Sequence, residues 1–138
     1  RYKDFDIVFT YPPSTMFYRK EKNIDSMGNL LMLTGKYLNF YFKPSGNYSF
    51  RSLFSINRKY IKNKKAQHLD GSRETRTKNL SDRYYLNFWD RRFLRKLAKR
   101  KTIIVIIDDV SSTGGTLLAC KKTLKDFNVE TLLYSLAH

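Results

Sequence analysis

The stretch that decides the fold of this chain is TIIVIIDDVSSTGGTL, residues 102–117. Its first six residues, Thr102 to Ile107, are all β-branched, and an apolar run of this length predicts a strand that is buried on both faces of a sheet. Two carboxylates, Asp108 and Asp109, follow the run. A loop of small hydroxyl residues and two glycines then leads into a predicted helix. This order predicts a polar loop at the carboxyl end of a parallel strand.

The loop from Ser111 to Thr116 has the residue types that bind a phosphate group. Glycine lets the backbone approach phosphate oxygens, and a helix N-terminus favours an anion. Carboxylates accept hydrogen bonds from sugar hydroxyls. Consecutive acids on a strand project to opposite sides, so one of Asp108 and Asp109 can face a ligand while the other turns to water or a neighbour. The stretch favours a phosphosugar site over an ordinary turn, and it is not an ATP-type loop because no Gly-Lys-Ser/Thr follows.

Residues Ile103 to Leu117 resemble the phosphoribosyl pyrophosphate (PRPP) motif of type I phosphoribosyltransferases. Two other segments are similar to the competence protein F (ComF) branch of that family. One is Ser72 to Asn79, which has the spacing Ser-Arg-x-x-Arg-x-x-Asn and is preceded by Gln67 and Leu69. The other is the closing segment from Val129, which ends in Leu-Ala-His. The resemblance implies a type I phosphoribosyltransferase-like fold.

The resemblance also implies a reaction of nucleotide metabolism, in which a nitrogen acceptor displaces Mg²⁺-bound pyrophosphate from the anomeric carbon of PRPP. Asp108 and Asp109 would hold the ribose hydroxyls, directly or through Mg²⁺, without a dedicated metal cage. Arg73 and Arg76 would close on the pyrophosphate as further catalytic residues, because a guanidinium presents a fixed fork of donors. The residues that would bind the 5′-phosphate are Ser111, Ser112, Thr113, Gly114, Gly115 and Thr116.

The loop after the first strand would hold the pyrophosphate in the resembled family. Here the predicted strand Phe5 to Tyr11 ends at Pro12-Pro13, because proline cannot continue a ladder. The match to the ComF pattern in this loop is loose, since residues 19–23 read RKEKN and lack its glycine. The candidates for contact with pyrophosphate are Tyr11, Pro12, Arg19 and Lys22.

Ser112 is a departure from the family pattern. Many purine-salvage members have Asp three residues after the second acid, so a carboxylate base at that position is missing here. A general base must lie within reach of the proton that it removes. The sequence therefore supports PRPP binding more strongly than transfer, and a PRPP sensor without turnover remains an alternative.

Charge leaves a third function open. The chain carries a net charge of +15, and residues 57–101 hold 16 Lys and Arg against 4 acids. Such a cluster is expected of a nucleic-acid-binding protein. It would equally attract PRPP, and a Lys- and Asn-rich chain can also reflect coding bias. A DNA-uptake factor that binds single-stranded DNA or competence proteins is the remaining alternative.

The pattern along the chain predicts one α/β domain over residues 1–138, with a mostly parallel sheet, helices on both faces and a mobile basic hood loop. The other predicted elements are a helix from Asp25 or Ser26 to Phe42, a strand from Tyr48 to Ile56, the hood loop from Lys59 to Asn79, a short strand from Tyr84 to Leu86, a helix from Phe88 to Lys99 with Trp89, Phe93 and Leu97 on its buried stripe, a helix from Gly115 to Phe127, and a last strand from Val129.

Features that the sequence lacks limit where the protein is expected to lie and which chemistry it can use. No apolar run is long enough to span a membrane and no signal-peptide pattern is present, so we expect a cytoplasmic protein without membrane insertion. The single cysteine, Cys120, excludes an internal disulfide and is predicted to pack in the core with Leu117 and Leu124. The chain starts at Arg1 and nothing in it matches the cysteine-rich segment of ComF-like proteins, so we expect a fragment.

Overall fold

The computed structural model describes residues 4–13, 26–42, 47–57, 82–110 and 114–137. Within these ranges the chain forms a four-stranded parallel sheet, a two-stranded antiparallel sheet and three helices, so the predicted α/β class is confirmed. The arrangement is compatible with a Rossmann-like fold. The elements are β1 (Asp6–Thr10), α1 (Ser26–Phe42), β2 (Asn47–Phe50), β3 (Ser55–Ile56), β4 (Tyr84–Tyr85), α2 (Phe88–Leu97), β5 (Thr102–Val110), α3 (Gly115–Thr123) and β6 (Glu130–Ala137).

The main sheet has the strand order β2-β1-β5-β6, and every neighbouring pair is parallel. The apolar run of β5 therefore lies inside the sheet, where Ile104 and Ile106 are fully buried. Thr10 at the end of β1 pairs with Ile106, which puts Tyr11 and the two prolines beside the acidic end of β5. The strand β5 runs to Val110, so both acids belong to the strand, whereas the apolar run predicted an end at Ile107.

Helices cover both faces of the sheet, as predicted. On one face, α2 and α3 bury Leu94, Cys120 and Leu124 against Val8 and Ile104. On the other face, the rings of Phe9 and Phe50 stack with their centroids 5.0 Å apart, and α1 lies over Phe50. The contact with α1 is close, since a Cβ atom on Gly35 would lie 2.7 Å from Cε2 of Phe50.

The single strand predicted from Tyr48 to Ile56 is wrong, because the chain leaves the sheet after Phe50. The Leu53 N–H donates to the side-chain oxygen of the buried Thr10 at 3.2 Å instead of to a neighbouring strand. Leu53 itself is fully buried in the core. The chain then forms β3, which pairs with β4 in the separate antiparallel sheet. The residue pattern from Tyr48 to Ile56 predicts strand structure but cannot predict that its two ends belong to different sheets.

The helix α2 also differs from its prediction, since Trp89 is 68% exposed. The helix instead turns Asp90 and Leu94 inward, with exposed fractions of 4% and 0%. The side chain of Arg51 pairs with the Asp90 carboxylate at 3.1 Å and lies over the Phe93 ring at 4.2 Å. The predicted stripe is therefore wrong at Trp89, whereas Phe93 and Leu97 pack against the core as predicted.

Both later helices are shorter than predicted. The helix α2 ends at Leu97, and α3 ends at Thr123 because the following turns use tighter bonds, with the Phe127 N–H donating to the Leu124 carbonyl at 3.0 Å. None of the helices in the described ranges is long and apolar enough to cross a bilayer. The predicted hood loop from Lys59 to Asn79 lies outside the described residues.

Candidate functional site

The acidic end of β5 is the centre of the candidate site. Asp108 is half-buried and Asp109 is exposed. The Asp109 N–H donates to Oδ1 of Asp108 at 3.0 Å. Burial, followed by the neighbouring carboxyl group of Asp109 and its charge, raises the pKa of Asp108 to about 6, against the opposing effect of this backbone hydrogen bond. The pair therefore gains most from a partner that brings hydroxyl donors or a cation.

The two acids lie on opposite faces of the strand, yet they act as one group. Asp108 pairs with Ser135 of β6, on the face that α2 and α3 cover, and its negative charge raises the pKa values of Tyr84 and Cys120 on that face. The backbone hydrogen bond from Asp109 to the Asp108 carboxylate joins the two residues at the strand end. The structure therefore presents two adjacent carboxylates at one edge of the sheet.

Gly114 sets the start of α3. Its φ is 70°, in the left-handed region that favours glycine, and Gly115 begins the helix. The Leu118 N–H donates to the Gly114 carbonyl at 3.0 Å. Because Gly114 has no side chain to cap the helix, it leaves the positive end of the helix dipole open to another anion or acceptor. Ser111, Ser112 and Thr113 lie outside the described residues.

Thr116, in the first turn of α3, has a buried partner that the sequence did not reveal. The Thr116 side chain lies beside the Tyr84 hydroxyl and lowers its pKa, and the Tyr84 residue is only 6% exposed. Burial raises the pKa of Tyr84 to about 12, against an opposing effect of the Arg83 charge. Sequence patterns placed Tyr84 on a short strand, but no local signal places its hydroxyl behind Thr116.

Arg83 is a second residue that the sequence did not single out. Its guanidinium carbon lies 5.8 Å from the centroid of the Tyr84 ring. Within the described part of the chain, its Nε atom is a buried donor without a hydrogen-bond partner. Its positive charge lowers the pKa values of Tyr84 and Cys120. A buried cationic donor of this kind is suited to an anionic ligand.

Cys120 is not a nucleophile in this arrangement. Its residue is fully buried in α3, as predicted for core packing. Burial, and then the charge of Asp108, raises the pKa of its thiol far above the ordinary range. The thiolate is the reactive form of cysteine, so this residue contributes packing rather than chemistry.

The residues at the end of β1 lie beside the acidic end of β5, and Tyr11 is on the face of the sheet that Asp109 shares, opposite Asp108. Tyr11, Pro12 and Pro13 are buried. The Tyr11 ring lines a groove of about 460 Å³ beneath α1, together with Leu31 and Gly35, on the sheet face opposite Asp108. The backbone of Tyr11 and Pro12 remains beside the end of β5. The other predicted pyrophosphate and catalytic residues, Arg19, Lys22, Arg73 and Arg76, lie outside the described residues.

The donor set fits a cation that arrives with ligands of its own. No group of three or more His, Cys, Asp or Glu residues that could hold a metal ion exists in the ranges that the structure describes. Asp108 and Asp109 supply hard carboxylate oxygens, which Mg²⁺ prefers, and Mg²⁺ is commonly held by one or two carboxylates plus substrate phosphates. Binding of Mg²⁺ therefore stays a prediction, and the carboxylates of Asp108 and Asp109 are chemically suited to it.

No protein-family model matches this chain, and neither a curated protein nor a solved structure matches it. The likeness to type I phosphoribosyltransferases and to the ComF branch therefore stays a prediction from the sequence motifs.

Proposed function

We propose that this chain binds PRPP at the carboxyl ends of β1 and β5 and transfers its phosphoribosyl group to a nitrogen acceptor, with release of pyrophosphate. The observation that carries the proposal is the pair of adjacent carboxylates, Asp108 and Asp109, followed closely by the left-handed Gly114 at the start of α3. Ligands of open parallel sheets bind beyond the carboxyl ends of the strands. The ComF-like branch of the type I family is the finer part of this proposal.

The ribose hydroxyls are the partners that the acidic pair requires. The raised pKa of Asp108 reflects burial and the neighbouring carboxyl group of Asp109. Two sugar hydroxyls would donate to these carboxylates and stabilise their charged form. Mg²⁺ bound through the pyrophosphate would add positive charge at the same carboxylates and stabilise the leaving group.

The 5′-phosphate is the group suited to the start of α3. The helix dipole favours an anion there, and the Thr116 side chain lies beside the buried Tyr84 hydroxyl. The motif resemblance adds the hydroxyls of Ser111, Ser112 and Thr113. Together these groups would fix one end of the phosphosugar while the acids fix its ring.

In the transfer step, the bond from the anomeric carbon to pyrophosphate breaks and its electron pair leaves with pyrophosphate. The acceptor nitrogen then forms the new bond with its lone pair and loses a proton. Positive charge develops on the sugar during this exchange, and the carboxylates of Asp108 and Asp109 would stabilise it electrostatically. Ser112 supplies no carboxylate base, so we expect an acceptor that loses its proton without one. A PRPP sensor that does not catalyse transfer is the alternative.

Calorimetry with PRPP and Mg²⁺ tests the proposal. We expect wild-type binding that Asp109→Asn weakens tenfold or more, because a hydrogen bond to a charged group contributes roughly 1.5–3 kcal/mol. Asp126→Asn, on the exposed turn after α3, is the matched control and should bind as the wild type does. Absence of wild-type binding would contradict both the transferase and the sensor. Pyrophosphate release with a panel of nitrogen acceptors distinguishes these two.

A further inference from the structure

The outer side of α2 carries two exposed aromatic rings. Phe88 is 66% exposed and Trp89 is 68% exposed, the largest exposed fractions of any large apolar residue in the described ranges. Their ring centroids are 5.4 Å apart in an edge-to-face arrangement, so each ring holds the other in place. Exposed rings of this size are uncommon unless they meet a partner.

Three cations share that side of the helix and a fourth follows it. Arg92 and Arg95 follow Phe88 by four and seven residues, Lys96 follows Trp89 by seven, and Lys99 lies in the turn after α2. With Trp89 and Phe93 they line an open groove of about 610 Å³. We call Phe88, Trp89, Arg92, Arg95, Lys96 and Lys99 the basic–aromatic face.

No acidic side chain of α2 opposes this positive charge. The single acid of the helix, Asp90, points inward, is 4% exposed and pairs with Arg51 at 3.1 Å. Leu94, on the inner side of the helix, is fully buried in the core. The basic–aromatic face therefore points away from the sheet and presents only positive charge with its rings.

We propose that the basic–aromatic face binds single-stranded nucleic acid. The cations would contact successive phosphates while unpaired bases stack on Phe88 and Trp89, which is the general way in which proteins bind single strands. A duplex fits less well, because its bases are already stacked on one another and cannot reach the exposed rings. This inference does not depend on PRPP binding at β5.

The mixture of rings and cations on one side favours a nucleic acid over a membrane. A helix that lies on a membrane separates its apolar side from its charged side. In α2 the exposed rings lie among the cations, and the separate apolar side around Leu94 is already occupied by the core. A single strand of nucleic acid, in which charged phosphates alternate with flat bases, matches this mixture of cations and rings.

Trp89 is the only tryptophan of the chain, so its fluorescence reports on this face directly. Titration with a twelve-residue oligothymidylate should quench the Trp89 emission, and the oligonucleotide should bind more tightly than a duplex of equal length. Trp89→Ala, followed by anisotropy of a labelled oligonucleotide, should weaken binding about tenfold, since stacking of one base contributes that much. Circular dichroism confirms that the variant folds.

The double variant Arg92→Gln/Lys96→Gln tests the cations. The salt dependence of the binding constant should fall in slope by about 1.4, because each phosphate contact to a single strand contributes about 0.7. The matched control Lys121→Gln/Lys125→Gln removes the same charge from exposed positions at and after the end of α3 and should leave the slope unchanged. Equal losses in the two double variants would overturn the proposal, because net charge alone would then explain binding.

A Trp89 emission that does not respond to the oligonucleotide would also overturn the proposal. If the emission then responds to phosphatidylserine vesicles, the face is a membrane surface. PRPP calorimetry on Arg92→Gln/Lys96→Gln should match the wild type, so failure of the nucleic-acid inference and failure of PRPP binding are separate results.

Discussion

The position of Thr116 beside the Tyr84 hydroxyl makes the sharpest prediction about the candidate site, because we expect the Thr116 hydroxyl to donate a hydrogen bond to it. Tyr84→Phe removes one oxygen and leaves the buried ring in place. A neutral hydrogen bond contributes about 1 kcal/mol net. Thr116 is half-buried and can donate to water instead, and the variant no longer buries the tyrosine hydroxyl, so the loss should stay near that value. We expect unfolding free energy to fall by about 1 kcal/mol, which corresponds to a melting temperature about 4 °C lower for a chain of this size.

Urea denaturation measures this change, and the m-value should be the same in both proteins. Tyr85→Phe is the matched control, because Tyr85 is the neighbouring residue of β4 and is 45% exposed. It should leave the midpoint unchanged. Under the proposed function, Tyr84→Phe should also weaken binding of ribose 5-phosphate severalfold and leave binding of free pyrophosphate unchanged.

A double-mutant cycle with Thr116→Val isolates the contact. The coupling energy between the two positions should be about 1 kcal/mol. If the two changes add to within about 0.3 kcal/mol, no hydrogen bond joins these side chains and the reasoning is refuted. Alkaline pH provides an independent check. The pKa of Tyr84 in the folded protein is raised to about 12, so the wild type loses stability as pH rises from 10 towards 12. Tyr84→Phe cannot lose this contribution, so the difference between the two proteins should shrink.

Three other changes test the fold and the site. The pKa of Asp108 is raised from 3.8 to about 6 in the folded chain, so its carboxylate destabilises the protein progressively as pH rises from 4 to above 6. The melting temperature of Asp108→Asn should therefore rise relative to that of the wild type over this range. A relative fall in metal-free buffer would contradict the assignment. Gly35→Ala should lower the free energy of unfolding by about 1–3 kcal/mol, because its Cβ would meet the Phe50 ring, which is itself stacked on Phe9. An unchanged urea midpoint would show that the Phe50 ring moves freely. Cys120 should not react with a thiol reagent until the chain is denatured, and rapid labelling of the native protein would contradict its burial.

Local residue patterns account for much of the sheet and its longest helix. The β-branched run of β5, the proline pair after β1 and the apolar spacing of α1 each act over a few neighbouring residues. Their predictions agree with the bounds of β1 and α1 to within one residue and with the start of β5. The order of acids, glycines and helix start also follows from the sequence, because it depends on chain neighbours alone.

Contacts between distant residues decided the features that the sequence misplaced. The ion pair between Arg51 and Asp90 joins residues 39 positions apart, and it buries Asp90 on a helix that leaves Trp89 exposed. Leu53 donates to Thr10 across 43 positions, which ends the strand that local preference would continue. In each of these two contacts, the residues next to one partner in the sequence do not indicate the other partner.

The sequence by itself determined that this chain is an α/β protein with an acidic strand end ahead of a glycine-rich turn, because strand, turn and helix preferences are local. Only the tertiary structure placed the buried Tyr84 hydroxyl beside Thr116 and brought the Arg83 charge near Cys120, because β4 reaches α3 solely through packing of the core. It also decided that the rings and cations of α2 share an exposed side, since packing of the core buries Leu94 and Asp90 on the other side of that helix.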